Sequence, residues 1–327
     1  MKAIVLEKTG GPEGLVLTDV PDPVPGPEDL LVRIRATALN RGDLLQRMGS
    51  YPQPGPKPAF EVPGIEFAGE VLSHGDRVEG FAVGERVMGL LAGGGYAEQC
   101  IIHQRLAVKV PERMSWQEAG ATPEVYITAH DALRQCDLVA GESVLVHAAG
   151  SGVGTAAVQV AKVMGATPII GTARTAAKLE QARELGMDVG IAVSSDPAFA
   201  ERVREVTGGG VDVILDVVGA PYWQQNITAL AVRGRMVVVG TMGGSRPEVD
   251  LGQLLRKRLQ VRGTVLRSRP LEEKAGATQA FAKSVVPHLA SGAIKVVVDR
   301  VFPLAEAGAA QTYMESNESF GKIVLEP

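Results

Sequence analysis

Two patterns of apolar and polar residues divide the chain near residue 125. Before that point, short runs of β-forming residues, such as 30–35 and 69–72, are separated by turns rich in glycine and proline. Short strands with frequent turns predict a compact β-rich unit. Later in the chain, apolar runs alternate with segments such as 175–185 and 199–206, in which apolar residues recur at helical spacing. That alternation predicts a parallel sheet covered by helices on both faces.

Six apolar runs of the second pattern are interpreted as the strands of this sheet. After them, the sequence predicts a helix over 271–289, a strand over 296–302 and a last strand over 322–325. We expect this tail to rejoin the β-rich unit. The six runs span residues 144–146, 168–171, 189–192, 211–215, 236–240 and 261–265.

Composition excludes several classes of protein. The chain has 327 residues, 45% of them hydrophobic, and its net charge of -4 supplies no basic field for nucleic acid. The apolar run at the N-terminus is too short for a signal peptide, and no segment is long enough to span a bilayer. The two cysteines, Cys100 and Cys136, suit a reducing compartment and cannot form a four-thiolate zinc site. These features predict a cytoplasmic protein.

The stretch HAAGSGVGTAAVQ, residues 147–159, directly follows the first strand run of the second pattern. Glycines between a strand and a helix can cradle a phosphate with backbone amides at the helix N-terminus. A serine at the tip of such a turn, here Ser151, is also how some hydrolases present a nucleophile. The stretch therefore raises two hypotheses, a nucleotide site and a hydrolytic site.

The surrounding residues favour the nucleotide site. A nucleophile turn needs glycines two positions to either side of the serine, and the chain has Ala149 and Val153 there. Only one histidine, His288, follows the serine, and it lies in a helical pattern. The dinucleotide fingerprint also fits imperfectly, because alignment on Gly154 would require glycine at positions 149 and 151. The strand–turn–helix context nevertheless predicts dinucleotide binding.

The end of the second strand indicates which dinucleotide. Proteins that bind NAD usually have an acidic residue about twenty positions after the glycine turn, where it meets the adenosine ribose. Residues 165–179 contain no Asp or Glu, whereas Arg174, Lys178 and the hydroxyls of Thr172 and Thr175 lie there. This set favours NADPH, whose 2′-phosphate would meet the cations. In the alternative interpretation, the two cations are only the solvated start of a helix.

Several motifs along the chain belong together: the opening residues 1–4, the stretches 38–52, 63–69 and 93–97, the turn at 147–159 and the ending 320–325. In these motifs the sequence resembles the zinc-free quinone oxidoreductases of the medium-chain dehydrogenase/reductase superfamily. The resemblance covers nearly the whole chain. It implies a Rossmann doubly wound parallel sheet domain over 126–264 and a GroES-like β-rich catalytic domain over 1–125 and 265–327.

The same resemblance bears on metals and on the catalytic residues. Zinc-dependent relatives have Cys where this chain has Asn40, and His where it has Ile65. Neither an amide nor an apolar side chain is a zinc ligand, so no metal is expected. In the zinc-free family, the residues that match Asn40, Asp43 and Tyr51 line the pocket for quinone and nicotinamide. Tyr51 and Asn40 are the expected hydrogen-bond donors to the acceptor, and Asp43 is expected to orient them.

The remaining implied contacts involve the cofactor, NADPH. One departure from the family lies at Val193, where several relatives have a tyrosine beside the adenosine phosphate. Thr128 is expected near the nicotinamide, and Ser151, Gly152, Val153 and Gly154 at the pyrophosphate. The other expected contacts are Arg174 and Lys178 at the 2′-phosphate, and Thr241, Leu266 and Asn317 elsewhere on the cofactor.

Three functions are compatible with these residues. The first is reduction of a quinone by NADPH, and the second is reduction of an activated carbon–carbon double bond in an enal, enone or enoyl thioester. The third is a structural or RNA-binding role for an NADPH-binding, crystallin-like protein. A homodimer formed through the nucleotide domains, with the run 236–240 near the sheet edge, is also expected.

Overall fold

The computed structural model describes residues 1–51, 53–56, 58–193 and 197–327. Pro52, the last residue of the stretch 38–52, lies outside the described residues. The chain divides into two compact units. Unit 1 comprises Met1–Ile127 and Leu266–Pro327, and unit 2 comprises Thr128–Val265.

The strands and helices follow the two sequence patterns. The strands are β1 (Lys2–Leu6), β2 (Leu15–Asp19), β3 (Asp29–Ala38), β4 (Glu66–His74), β5 (Arg86–Leu90), β6 (Gln99–His103), β7 (Ala107–Lys109), β8 (Val144–Val146), β9 (Ile169–Ala173), β10 (Val189–Ala192), β11 (Val211–Asp216), β12 (Leu230–Val238), β13 (Gln260–Gly263), β14 (Val298–Pro303) and β15 (Lys322–Glu326). The α-helices are α1 (Arg41–Arg47), α2 (Trp116–Gly120), α3 (Pro123–Gln135), α4 (Gly152–Val163), α5 (Ala176–Glu184), α6 (Ala200–Thr207), α7 (Trp223–Ala229), α8 (Leu251–Lys257), α9 (Leu271–Ser284), α10 (Val286–Ser291) and α11 (Ala307–Ser316).

Unit 1 is built on a seven-stranded sheet. Six strands follow the order β14-β15-β3-β4-β5-β7, and β6 pairs with β3. Strand β3 alternates buried Leu30, Val32 and Ile34 with the exposed Arg33 and Arg35, as expected for a strand with one face in the core. Its far end pairs with β15, antiparallel. The tail of the chain therefore rejoins the β-rich unit, as predicted.

The long helix predicted over 271–289 is wrong as a single element. Helix α9 ends at Ser284, and α10 begins at Val286. Pro287 stands at the start of α10, where its missing N–H is tolerated, but inside one continuous helix it would remove a hydrogen bond and clash with the preceding turn.

Unit 2 is built on a parallel sheet with strand order β10-β9-β8-β11-β12-β13. Numbered within the unit, this is the order 3-2-1-4-5-6 of the doubly wound dinucleotide-binding fold. The predicted fold class is thus confirmed. The central strand β8 is entirely buried, which explains its unbroken apolar sequence. Most of the run 236–240 lies in β12, directly beside the edge strand β13, so it is near the sheet edge as expected.

Among the described residues, no helix is both long enough and apolar enough to cross a membrane.

Candidate active site and nucleotide site

In unit 1, Asp43 connects the start of α1 to two neighbouring segments. Its carboxylate accepts hydrogen bonds from the Asn40 backbone N–H at 2.8 Å and from the Tyr96 hydroxyl at 3.0 Å. The Gly64 backbone N–H donates to the other oxygen at 3.3 Å. Asp43 and Tyr96 are both fully buried. Asp43 therefore fixes α1 against the two motifs at 63–69 and 93–97 rather than facing solvent.

The carboxyl group of Asp43 is harder to ionise than usual. Burial raises its pKa from 3.8 to about 6, although the hydrogen bonds from Asn40 and Tyr96 and the charges of Lys322 and Arg267 act in the opposite direction. The folded protein therefore holds a proton on Asp43 at mildly acidic pH more readily than the unfolded chain does.

This shift predicts how stability depends on pH. The folded-state pKa is above the unfolded one, so the stabilisation is complete below about pH 3.8 and is lost as pH rises through about 6. Between pH 5 and pH 7.5, the loss from this group should be about 1 kcal/mol. Urea unfolding of the parent and of Asp43→Asn measures it, because only the parent can titrate at position 43. A stability difference between the two proteins that is independent of pH would contradict the assignment.

A buried ion pair lies beside this group. The Lys322 ammonium donates to Glu66 Oε1 at 2.7 Å, to Asn40 Oδ1 at 2.6 Å and to the Leu39 carbonyl at 2.7 Å. The second oxygen of Glu66 accepts from the Glu124 backbone N–H at 2.8 Å. Lys322 is 4% exposed and Glu66 is fully buried. The three N–H bonds of the ammonium are therefore all used within the protein.

The same network determines what Asn40 can do. Its amide nitrogen donates to Glu66 Oε1 at 2.8 Å and to the Ala38 carbonyl at 3.2 Å. Both of its N–H bonds are occupied, so in this conformation Asn40 has no hydrogen bond left to donate to an acceptor. Within the described residues, no cluster of three or more His, Cys, Asp or Glu side chains could hold a metal ion. The polar groups around Asn40 instead surround an ammonium.

Tyr51 is held by its ring, while its hydroxyl stays open. A Cβ added at Gly42 would lie 3.3 Å from the Tyr51 ring and 3.9 Å from the Ile65 side chain, so the ring packs closely on the backbone of α1. The Arg267 guanidinium carbon lies over the ring, 5.0 Å from its centroid. The Tyr51 hydroxyl forms no hydrogen bond with any described residue. Of the two predicted donors, it is the one still able to donate to an acceptor.

In unit 2, the turn at 147–159 forms a helix N-terminus suited to an anion. Ser151 caps α4, since its hydroxyl accepts from the Gly154 N–H at 3.0 Å. A Cβ on Gly154 would lie 2.2 Å from the Ala148 carbonyl oxygen, so only glycine permits this approach. The amides of Gly152 and Val153 donate to no protein group in the described part of the chain. Two open N–H groups at the positive end of a twelve-residue helix fit a pyrophosphate.

Beneath this turn lies a buried polar chain that the sequence analysis did not anticipate. His147 contacts the Thr172 hydroxyl at 2.9 Å through Nδ1 and Asn226 Oδ1 at 2.6 Å through Nε2. Asn226 in turn donates to Asp216 at 3.2 Å. Thr172 is fully buried, so the prediction that its hydroxyl stands at the 2′-phosphate was wrong. The chain ties the carboxyl ends of β8, β9 and β11 together.

The other predicted cofactor residues lie in both units. Arg174 is exposed at the end of β9, while Val193 is buried among apolar residues. In unit 1, Asn317 caps α11 in a left-handed conformation and accepts from Arg41. Of the others, Thr128 and Leu266 are buried, Lys178 is half-buried, and Thr241 is exposed after β12.

Comparison with known proteins agrees with this arrangement. Residues 26–112 match the alcohol dehydrogenase GroES-like domain, and residues 152–283 match the family described as zinc-binding dehydrogenase. A quinone oxidoreductase of Pseudomonas aeruginosa is 35% identical over all of this chain and 99% of its own length. The chain belongs to the medium-chain dehydrogenase/reductase family, quinone oxidoreductase type. This oxidoreductase therefore shares the family's nicotinamide cofactor.

Two further relatives bear on the choice of acceptor and of cofactor. A 2-haloacrylate reductase from a Burkholderia species is 34% identical over 99% of this chain and 98% of its own. A mycobacterial protein whose structure was solved in complex with NADPH is 33% identical to this chain. The two structures superpose with a TM-score of 0.88, and the match covers 100% of both chains.

Proposed function

We propose that this enzyme reduces quinones with NADPH and needs no metal ion. The observation that carries the proposal is Tyr51, whose ring is fixed against Gly42 while its hydroxyl remains open to an acceptor. The quinone oxidoreductases among the relatives, at about 30–35% identity, support the choice of acceptor. The solved NADPH complex of a relative supports the choice of cofactor.

The glycine turn and the other predicted residues would hold the cofactor. The open amides of Gly152 and Val153 would bind the pyrophosphate, and Arg174 and Lys178 would bind the 2′-phosphate. We also assign Thr128, Thr241, Leu266 and Asn317 to the cofactor. When bound, the dihydronicotinamide supplies a hydride.

The residues of unit 1 would serve the acceptor. As the acceptor takes up a hydride, negative charge grows on its oxygen, and the Tyr51 hydroxyl donates a hydrogen bond there. Asn40 and Asp43 hold α1, and with it the surface on which the Tyr51 ring packs. A zinc ion would need thiolate, imidazole or carboxylate ligands, and the family resemblance implies that the amide of Asn40 and the apolar Ile65 stand at two of the ligand positions.

A second candidate is reduction of activated double bonds, which the similarity to 2-haloacrylate reductase favours. NADPH oxidation should be measured with a panel of 1,4-quinones, enals, enones and 2-haloacrylates, with and without a chelator. Fastest turnover with quinones, insensitive to the chelator, supports the first candidate. Faster turnover of the alkenes selects the second, and loss of activity to the chelator contradicts metal independence. Binding of NADPH without turnover of any acceptor would indicate a structural or regulatory protein.

Tyr51→Phe should lower quinone turnover by up to about a hundredfold, because it removes one hydrogen-bond donor to the developing negative charge. The Kd for NADPH should change by less than about threefold, since the lost group acts on the acceptor. Stopped-flow reduction and fluorescence titration measure the two effects. Tyr313→Phe is the matched control, because that hydroxyl binds Asp299 on the surface of unit 1. Unchanged turnover in Tyr51→Phe would leave Tyr51 as a packing residue only.

We further propose a homodimer formed through unit 2. Strand β13 pairs with β12 and is the last strand of the sheet among the described residues. Its four residues are all exposed, and α8 before it exposes Leu251 and Leu255. An open edge with neighbouring apolar residues is typical of a surface that pairs with another copy. Sedimentation velocity on the purified protein measures the oligomeric state.

A further inference from the structure

Arg267 is a buried cation that the sequence analysis did not identify and the proposed reaction does not yet use. Its side chain is only 5% exposed. It donates to the Ala92 carbonyl at 2.7 Å, the Tyr51 carbonyl at 3.2 Å and Gln46 Oε1 at 2.7 Å. These bonds join the loop after β5, the loop that carries Tyr51, and helix α1. The guanidinium is thereby fixed beside the Tyr51 ring.

The charge of Arg267 is not neutralised by a direct partner. Its hydrogen bonds all end on neutral oxygens, and it forms no ion pair with any described residue. Glu61 is linked to it only through Gln46, whose amide donates to that carboxylate at 2.9 Å. The other ionisable groups that act on Arg267 are Asp43, whose pKa is raised by burial, and Tyr51; the Lys274 ammonium is also close enough to interact with it.

A buried cation without a paired carboxylate is costly unless an anion meets it. The neighbouring open group is the Tyr51 hydroxyl, where an acceptor would develop negative charge. We propose that Arg267 is a positioning residue that fixes Tyr51 and electrostatically favours acceptors whose oxygen becomes anionic on reduction. This proposal rests on the proposed function. It specifies the substrate class as quinones and enones rather than alkenes without a conjugated oxygen.

The acceptor gains a hydride from the reduced cofactor, and the π electron pair moves onto its oxygen. A proton from water then neutralises that oxygen, so that the acceptor is reduced and the cofactor oxidised. The product before protonation is a hydroquinone monoanion or an enolate, and Arg267 lowers the energy of that anion.

The experiment uses 4-nitrophenol as a probe, because it resembles a hydroquinone and its phenolate absorbs at a longer wavelength than its phenol. The probe is titrated with pH on the full-length protein with NADP⁺ bound. Arg267→Met should raise the pKa of the bound probe by about one to two units and should lower kcat for quinones about tenfold or more. Arg267→Lys keeps the charge, so it should restore most of the shift in the probe's pKa.

Arg300→Met is the matched control, because that exposed arginine lies 4.1 Å from the Tyr313 ring. If Arg267→Met matches this control in both the probe's pKa and kcat, the proposal is overturned. Failure of the parent protein to bind the phenolate overturns it as well. If Arg267→Met does not fold, Arg267→Lys decides: a probe pKa displaced from the parent value by more than about one unit would contradict an electrostatic role. The titration needs no turnover, so a parent that binds the phenolate but reduces no quinone refutes the proposed function alone.

Discussion

Lys322→Met is expected to lower the free energy of unfolding by about 3–5 kcal/mol. Glu66 is fully buried and its Oε1 accepts from the ammonium at 2.7 Å, so methionine would leave a buried carboxylate without its cation. Asn40 would also lose the donor to its side-chain oxygen. Urea or thermal unfolding at neutral pH measures the loss.

Two further variants separate this ion pair from ordinary packing. Lys109 pairs with Glu85 at 2.5 Å on the surface, and Lys109→Met should cost less than about 1 kcal/mol. The double variant Lys322→Met with Glu66→Leu should be more stable than Lys322→Met alone, because no unpaired charge remains. If Lys322→Met and Lys109→Met lower the free energy of unfolding equally, the buried ion pair stabilises the protein no more than the surface pair does.

Arg174→Ala should weaken NADPH binding by about tenfold and leave NADH binding nearly unchanged. A charge-assisted hydrogen bond to the 2′-phosphate contributes about 1.5–3 kcal/mol, which corresponds to roughly a tenfold to hundredfold preference. We expect the lower end, because Arg174 is exposed and solvent ions screen its charge. Val193, where the family resemblance implies a phosphate contact, is buried and has neither an aromatic ring nor a hydroxyl. The difference between the two cofactors should shrink as salt is raised.

Fluorescence titration of both cofactors measures this preference. Arg183→Ala is the control, because Arg183 is an exposed arginine of α5 that pairs with Glu180. Equal affinities of the parent for NADPH and NADH, or an equal loss for both in Arg174→Ala, would identify Arg174 as a solvated residue at the start of a helix.

Much of the fold could be predicted because local pattern and tertiary environment agree. Strand β8 is apolar throughout and lies at the centre of the unit 2 sheet, whereas β3 alternates and has one face in the core. The break at Pro287 was missed because apolar spacing continues through it.

The site was predictable only in part. The family motifs predicted that Asn40, Asp43 and Tyr51 belong to the site, but they did not predict which hydrogen bonds these residues form. The Asn40 amide donates both of its hydrogen bonds, to Glu66 and to the Ala38 carbonyl. Lys322, which binds the Asn40 side-chain oxygen, lies 282 positions away in the sequence. A lysine within the apolar ending at 320–325 was the available signal. The sequence did not indicate that Arg267 is buried, because this arginine lies in a polar loop pattern rather than within an apolar run.

The pairing of β15 with β3 also determines the order in which the two units can fold during synthesis. Unit 2 is continuous in sequence, so all its strands have been made once residue 265 has left the ribosome. The sheet of unit 1 is completed only by residues 322–326. Until they emerge, Thr37 and Ala38 at the far end of β3 lack their neighbouring strand, although β6 already pairs with residues 29–33, and Glu66 lacks its cation. Domains generally fold as units as the chain emerges, so the nucleotide-binding unit is complete while its partner still exposes unpaired backbone. During this interval, the far end of β3 is a short open edge at which another chain could pair.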